Sequence, residues 1–109
     1  MKTNTKVKAS KHLINKNNLT VRIANYLLER KFKPKHKGFF YIHSLIATII
    51  NSNNEPLVLN KKYMELAKAY FTNPMQIERD IRYAMSKSLD SKFTIKEFIV
   101  IAVFELSSN

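Results

Sequence analysis

The sequence predicts an all-α fold, a compact bundle of about five helices that contains a helix-turn-helix. Three observations carry that expectation. Apolar residues recur at three-and-four spacing in one segment after another, and residues that cap or break helices stand between the segments. The chain also has one glycine, Gly38, in 109 residues and no internal repeat. That composition counts against a turn-rich β architecture and against a glycine-rich phosphate loop. With 45% hydrophobic residues the chain can build one modest core, so the expected organisation is a flexible basic N-terminal arm over residues 1–18 and a helix-turn-helix domain over 19–109.

The arm carries five lysines and no acid. Its isolated Val7, Leu13 and Ile14 are too few to offset the entropy of ordering it. It reads either as a solvated tail or as a phosphate contact. From Leu19, the positions Val21, Ile23, Ala24, Leu27 and Leu28 share a face of a first helix ending near Arg30. A uniformly basic connector follows, from Arg30 to Lys37, with Pro34 interrupting any continuous helix. Phe39, Ile42, His43, Ile46, Ile49 and Ile50 predict a second helix that stops at the turn formers Asn51 to Asn54. His43 has no companion ligand at metal spacing and reads as a packed or hydrogen-bonded histidine.

Asn60 is a candidate cap for a third helix from Lys61 to about Phe71, with Tyr63, Leu66, Ala67 and Tyr70 on its apolar face. A fourth begins clearly. Asn73 precedes Pro74 as an N-cap precedes a first-turn proline, and Gln76 completes a capping-box-like pattern. Ile77, Ile81, Ala84 and Met85 form its buried stripe. Thr94 is the candidate cap of a last helix, with Ile95, Phe98, Ile99, Ala102, Val103 and Leu106 pointing inward. The run Phe98 to Phe104 is rich in β-branched residues, so periodicity alone also allows a buried strand there.

Helices three and four, from Leu59 to Ser88, form the expected helix-turn-helix, in which the second helix enters a DNA major groove by its N-terminal half. Gln76, Arg79, Arg82, Tyr83 and Ser86 occupy an arc of about 120° away from the apolar stripe. Arginine suits that surface because its planar fork donates two hydrogen bonds to guanine O6 and N7, and Glu78 at the border can accept from cytosine N4. Two plainer roles compete. Glu78 and Arg82 are four apart, a spacing that supports any exposed helix, and Gln76 can act as a cap. Phe71 stands in the turn where glycine is common.

Charge narrows the classes of function. Nineteen Lys and Arg against eight Asp and Glu give a net charge of +11, which favours a polyanionic partner, nucleic acid before membrane surface. Lys35 and Lys37 are candidate phosphate contacts. The absence of cysteine removes disulfides and thiolate metal sites, and the N-terminus lacks the apolar core of a signal peptide, so a cytoplasmic, nucleoid-associated protein is expected. The longest apolar run, Phe98 to Phe104, has seven residues, far short of the roughly 20 that span a bilayer. No nucleophile with an orienting base, carboxylate pair or metal-ligand cluster is evident, so neither an enzyme nor a cofactor is expected.

Four stretches resemble a known family: His36-Lys-Gly-Phe-Phe-Tyr-Ile, Leu66-Ala-Lys-Ala-Tyr-Phe-Thr-Asn, Ile77-Glu-Arg-Asp-Ile-Arg-Tyr-Ala-Met and Lys96-Glu-Phe-Ile-Val-Ile-Ala. Over about Leu19 to Leu106, with one gap, the chain resembles the C-terminal DNA-binding domain of stage zero sporulation protein A. The resemblance implies an all-helical transcription-factor fold that reads a short DNA box, with Glu78, Arg79 and Arg82 at positions the family uses for DNA contact. It also implies side-by-side pairing on tandem sites through a weak homodimer contact. Three departures shape the expectation. A chain of 109 residues has no room for the family's phosphoacceptor receiver domain. The segment before the last helix, associated in the family with RNA polymerase contact, is shorter by well over ten residues. Gln76 and Tyr83 replace an Arg and a His, which alters the expected target box.

The expected function is therefore sequence-specific binding of double-stranded DNA by a transcriptional regulator that acts as repressor, competitor or accessory factor. The alternative is a protein-interaction module that binds the full-length regulator or another protein through its apolar last helix.

Overall fold

The computed structural model describes residues 18–52 and 56–107. Five helices follow one another: α1 (Leu19–Glu29), α2 (Lys37–Asn51), α3 (Leu59–Ala69), α4 (Pro74–Ser86) and α5 (Ile95–Ser107). The expected basic arm lies outside the described residues apart from Asn18, whose Oδ1 accepts the Val21 N–H at 3.1 Å and caps α1. The segment Phe98 to Phe104 is helical, and Ile95, Phe98, Ile99, Ala102 and Leu106 are buried. That three-and-four spacing puts one face of α5 into the core, which a strand would have divided between two faces.

The expected stripes are buried more narrowly than drawn. In α1, Ile23 and Leu27 are fully buried, whereas Val21 and Leu28 are exposed. In α3, Tyr63 and Ala67 are buried, and Tyr70 lies beyond the helix end, its ring edge-on to Tyr41 at 5.1 Å. Asn60 does not cap α3. The helix begins two residues before the expected Lys61, at Leu59, with Val58 at the N-cap and no side-chain cap bond; packing of Leu59 against the core sets the start instead. The α2 helix likewise starts at Lys37, two residues before Phe39.

The basic connector hides a core residue. Phe32 is buried with its ring 5.1 Å from Phe98. It is delivered there by a Schellman turn at the end of α1, in which Phe32 N–H reaches the Leu27 carbonyl and Lys31 N–H the Leu28 carbonyl, both at 3.0 Å, with Lys31 left-handed at φ 70°. Arg30 N–H also bonds the Leu27 carbonyl, and its guanidinium grips the buried Asp90 at 2.8 and 3.2 Å. These contacts fasten the end of α1 to the loop that leaves α4. Earlier in α1, Arg22 donates to the Leu106 carbonyl and Tyr26 to Glu105 Oε1 at 2.5 Å, tying α1 to the last turn of α5.

Gly38 explains how α2 sits on α4. A Cβ at this position would lie 2.2 Å from the Asp80 carbonyl oxygen and 2.8 Å from Ala84 Cβ. Only a residue without a side chain permits that approach. The contact sets the depth at which α4 is seated, and so what remains exposed of it.

Candidate nucleic-acid interface

The α3 and α4 helices pack against each other and are joined by a short turn, residues 70–73. Phe71 is left-handed at φ 56°, and Thr72 N–H bonds the Ala67 carbonyl at 2.9 Å, a second Schellman closure. The position behaves as glycine would, yet it carries a phenyl ring that is 96% exposed. Asn73 then caps α4, its Oδ1 accepting Gln76 N–H at 2.9 Å, with Pro74 in the first turn. Ile77, Ile81, Ala84 and Met85 are all buried, so α4 is fixed along its inner side and its outer side is presented to solvent.

That outer side is a connected polar surface. Arg79 and Arg82 are both exposed. Arg79 donates to Gln76 Oε1 at 3.2 Å, and Gln76 Nε2 donates to Asp80 Oδ1 at 3.0 Å. The capping box expected of Gln76 is therefore half formed: its backbone N–H is capped by Asn73, but its side chain turns to Asp80 instead of back to the cap residue. Arg82 is paired with Glu78, and that bond holds the guanidinium above its already high range. Tyr83 stacks edge-on against His36 at 5.0 Å, with Lys87 Nζ 5.5 Å from its ring centre. Ser86 is turned onto its own helix, donating to the Tyr83 carbonyl at 2.6 Å.

Lysines border this surface on two sides. Lys35 and Lys37 are exposed and flank His36 in the chain, so the Tyr83–His36 contact brings them beside the second half of α4. On the other side Glu78 and Arg82 line a groove with Asn60, Lys92 and Lys96. Sequence reasoning missed Lys87, Lys92 and Lys96. The signal available was the position of Lys87 just past the C-terminal end of α4 and of Lys92 and Lys96 on either side of the Thr94 cap. Thr94 and Glu97 form a complete capping box: Glu97 Oε1 accepts the Thr94 N–H at 2.9 Å and Thr94 Oγ1 the Glu97 N–H at 3.1 Å. His43 lies apart from this surface with its Nε2 2.8 Å from the Thr20 carbonyl, the hydrogen-bonded role expected of it.

An exposed helix face with two arginines, an acidic neighbour and bordering lysines can donate to base edges and neutralise phosphates at once. Among the described residues, no group of three His, Cys, Asp or Glu side chains could hold a metal ion, and no helix is long and apolar enough to cross a membrane. Residues 23–104 match the protein family described as sporulation initiation factor Spo0A, C terminal. No curated protein and no solved structure matches the chain.

Proposed function

The chain belongs to the Spo0A C-terminal family of DNA-binding, transcription-regulating domains, and from that premise we propose that it reads a specific double-stranded DNA site with the outer face of α4. The observation that supports this most directly is Arg79 and Arg82, exposed side by side on a helix whose opposite face is wholly buried. In this reading Arg79 and Arg82 donate to guanines, Glu78 accepts from cytosine, Gln76 and Tyr83 complete the base contacts, and Lys35 and Lys37 hold phosphates. The regulator acts as a repressor, competitor or accessory factor, because the short loop between α4 and α5 leaves little of the segment associated with polymerase contact.

The test is fluorescence anisotropy with duplexes selected from a random pool, against scrambled duplexes, at two salt concentrations. Arg79→Ala should cost about 1–3 kcal/mol on the selected site and relax specificity. Lys35→Ala and Lys37→Ala should weaken all duplexes alike, each lowering the salt slope by about 1. Arg79→Ala binding with undiminished preference would refute the groove assignment.

One observation favours a second surface. Phe104 is 73% exposed and Val100 is half exposed, above an apolar groove that also includes Ile49, Leu57 and Val103. This suits the side-by-side pairing of two copies on tandem sites, or contact with a related regulator. Sedimentation on one-site and two-site duplexes tests it: Phe104→Ser should abolish cooperative loading and leave one-site affinity unchanged.

A further inference from the structure

We infer that Asp80 is a positioning residue for base readout, holding the Gln76 side-chain amide in one orientation so that its carbonyl seats Arg79. The inference rests on the proposed reading of DNA by α4 and adds to it the residue that sets the geometry.

An ionised carboxylate accepts hydrogen bonds and donates none. The Gln76 group 3.0 Å from Asp80 Oδ1 is therefore the amide nitrogen, and the carbonyl oxygen must point the other way. There it accepts from Arg79 Nη1 at 3.2 Å. The chain of contacts runs from Asp80 through Gln76 to Arg79. With Asp80 removed, only the exposed Arg79 still distinguishes the two ends of the Gln76 amide, so the carbonyl is held from one side and the guanidinium loses a fixed acceptor.

Asp80 is itself held still. The backbone of α2 abuts its carbonyl at Gly38, which leaves no space even for a methyl group. Its Oδ2 is buried without a hydrogen-bond partner among the described residues, so its side-chain bonding rests on the oxygen that meets Gln76. Its charge also reaches the buried Tyr41, whose hydroxyl is pushed up first by burial and then by Asp80. A half-buried carboxylate beside Arg79 and Arg82 opposes DNA by its charge. Orientation of the side chains above it is the role that its contacts describe.

Arginine presents its fork to a guanine only when the guanidinium plane is aligned with the base edge. Seating by Gln76 fixes part of that alignment before DNA arrives. The discriminating experiment is guanine preference at the Arg79 position, measured with matched duplexes and the full chain. Asp80→Ala should lower the preference about tenfold, a loss of about 1.4 kcal/mol, while scrambled DNA binds as well or better. Asp80→Asn keeps an acceptor but adds a donor, so it no longer forces one orientation of the Gln76 amide, and its preference should fall between those of the wild type and Asp80→Ala. Gln76→Ala should match Asp80→Ala, and the double variant should be no worse than either single one.

Circular dichroism melts identify any variant that fails to fold, and Gln76→Ala, altered at a half-buried side chain, supplies the same readout if Asp80→Ala does. Undiminished preference in Asp80→Ala overturns the inference, as does an additive double variant. Asp80→Asn retaining the full wild-type preference also overturns it, because a group that both donates and accepts would then orient the amide as well as a carboxylate does. A wild-type chain with no base preference removes the parent reading and this one together; wild-type preference with an indifferent Asp80→Ala removes this one alone.

Discussion

Gly38→Ala is a substitution for which helix propensity and packing predict opposite signs. Gly38 is the second residue of α2, and in an open helix alanine would stabilise by up to about 1 kcal/mol. Here the new methyl carbon would lie 2.2 Å from the Asp80 carbonyl oxygen and 2.8 Å from Ala84 Cβ. The nearest atom belongs to the backbone of another helix and cannot rotate away. Relief requires α2 and α4 to separate, which loosens a core that includes the fully buried Ile42, Ile77 and Ile81. Overpacking of this kind costs about 1–3 kcal/mol or more, and backbone contact places it at the upper end. After the propensity gain the expected loss is about 2 kcal/mol, or about 10 °C in Tm for a domain of this size. Urea and thermal unfolding followed by circular dichroism measure it. A Tm equal to or above that of the wild type would refute the close approach of α2 to α4, and with it the seating of the reading helix.

Other expectations concern the turn and a buried phenol. Phe71→Gly relieves a left-handed residue at φ 56° and loses almost no packing, since the ring is 96% exposed. The relief of about 1 kcal/mol exceeds the added freedom of the unfolded chain, roughly 0.5 kcal/mol, so Tm should rise by a few degrees; a fall would show that the ring contributes to the fold. Burial, with the charge of Glu78 added, pushes the Tyr63 hydroxyl up to about 12 from an ordinary value of 10.0. A raised folded-state pKa means that the stability linked to Tyr63 is complete below pH 10 and is lost as pH rises toward 12, on the order of 2 kcal/mol in all. Alkaline titration of stability should show that loss, and Tyr63→Phe should flatten it; equal slopes in the two proteins would refute the assignment.

The parts of the fold that were legible in the sequence are those where one face repeats without competition. Ile77, Ile81, Ala84 and Met85 are spaced for one buried stripe, and all four are buried. Asn73 and Pro74 announce the start of α4 because cap and first-turn residue act within three positions, and the cap bond is present. Phe32 was not legible. A lone aromatic among lysines has no periodicity, and only the left-handed Lys31 redirects it toward Phe98. Asn60 misled for the reverse reason: a good cap residue stands one position past the apolar Leu59, and burial of Leu59 outweighs the cap. For α5, β-branching and helical spacing pointed in different directions, and the inner surface available at Ile95, Phe98, Ile99, Ala102 and Leu106 decides for the helix. At the candidate site the spacing placed Arg79 and Arg82 on the outer face, but it could not reveal the Gln76–Asp80 bond. That bond depends on whether the amide meets the Asn73 backbone N–H, a donor, or the Asp80 carboxylate, an acceptor, in three dimensions.

These pairings bear on how such a face would discriminate. In the free chain Arg79 is engaged by Gln76, and Arg82 by Glu78, so base recognition would begin from satisfied side chains and not from open charges. A guanidinium has five donors, and a base that offers acceptors in the right plane can be added without releasing the first partner. A wrong base forces a choice between breaking the internal bond and leaving a base group unpaired, each of which costs free energy once water is excluded. Internal pairing would thus lower affinity for all DNA slightly while widening the gap between right and wrong sites. Bordering lysines at positions 35, 37, 87, 92 and 96 would restore the general attraction that the acidic Glu78 and Asp80 would subtract. Specificity on this face would then be carried by the acids as much as by the arginines, which is why substitutions at Glu78 and Asp80 should relax discrimination while strengthening binding to DNA at large.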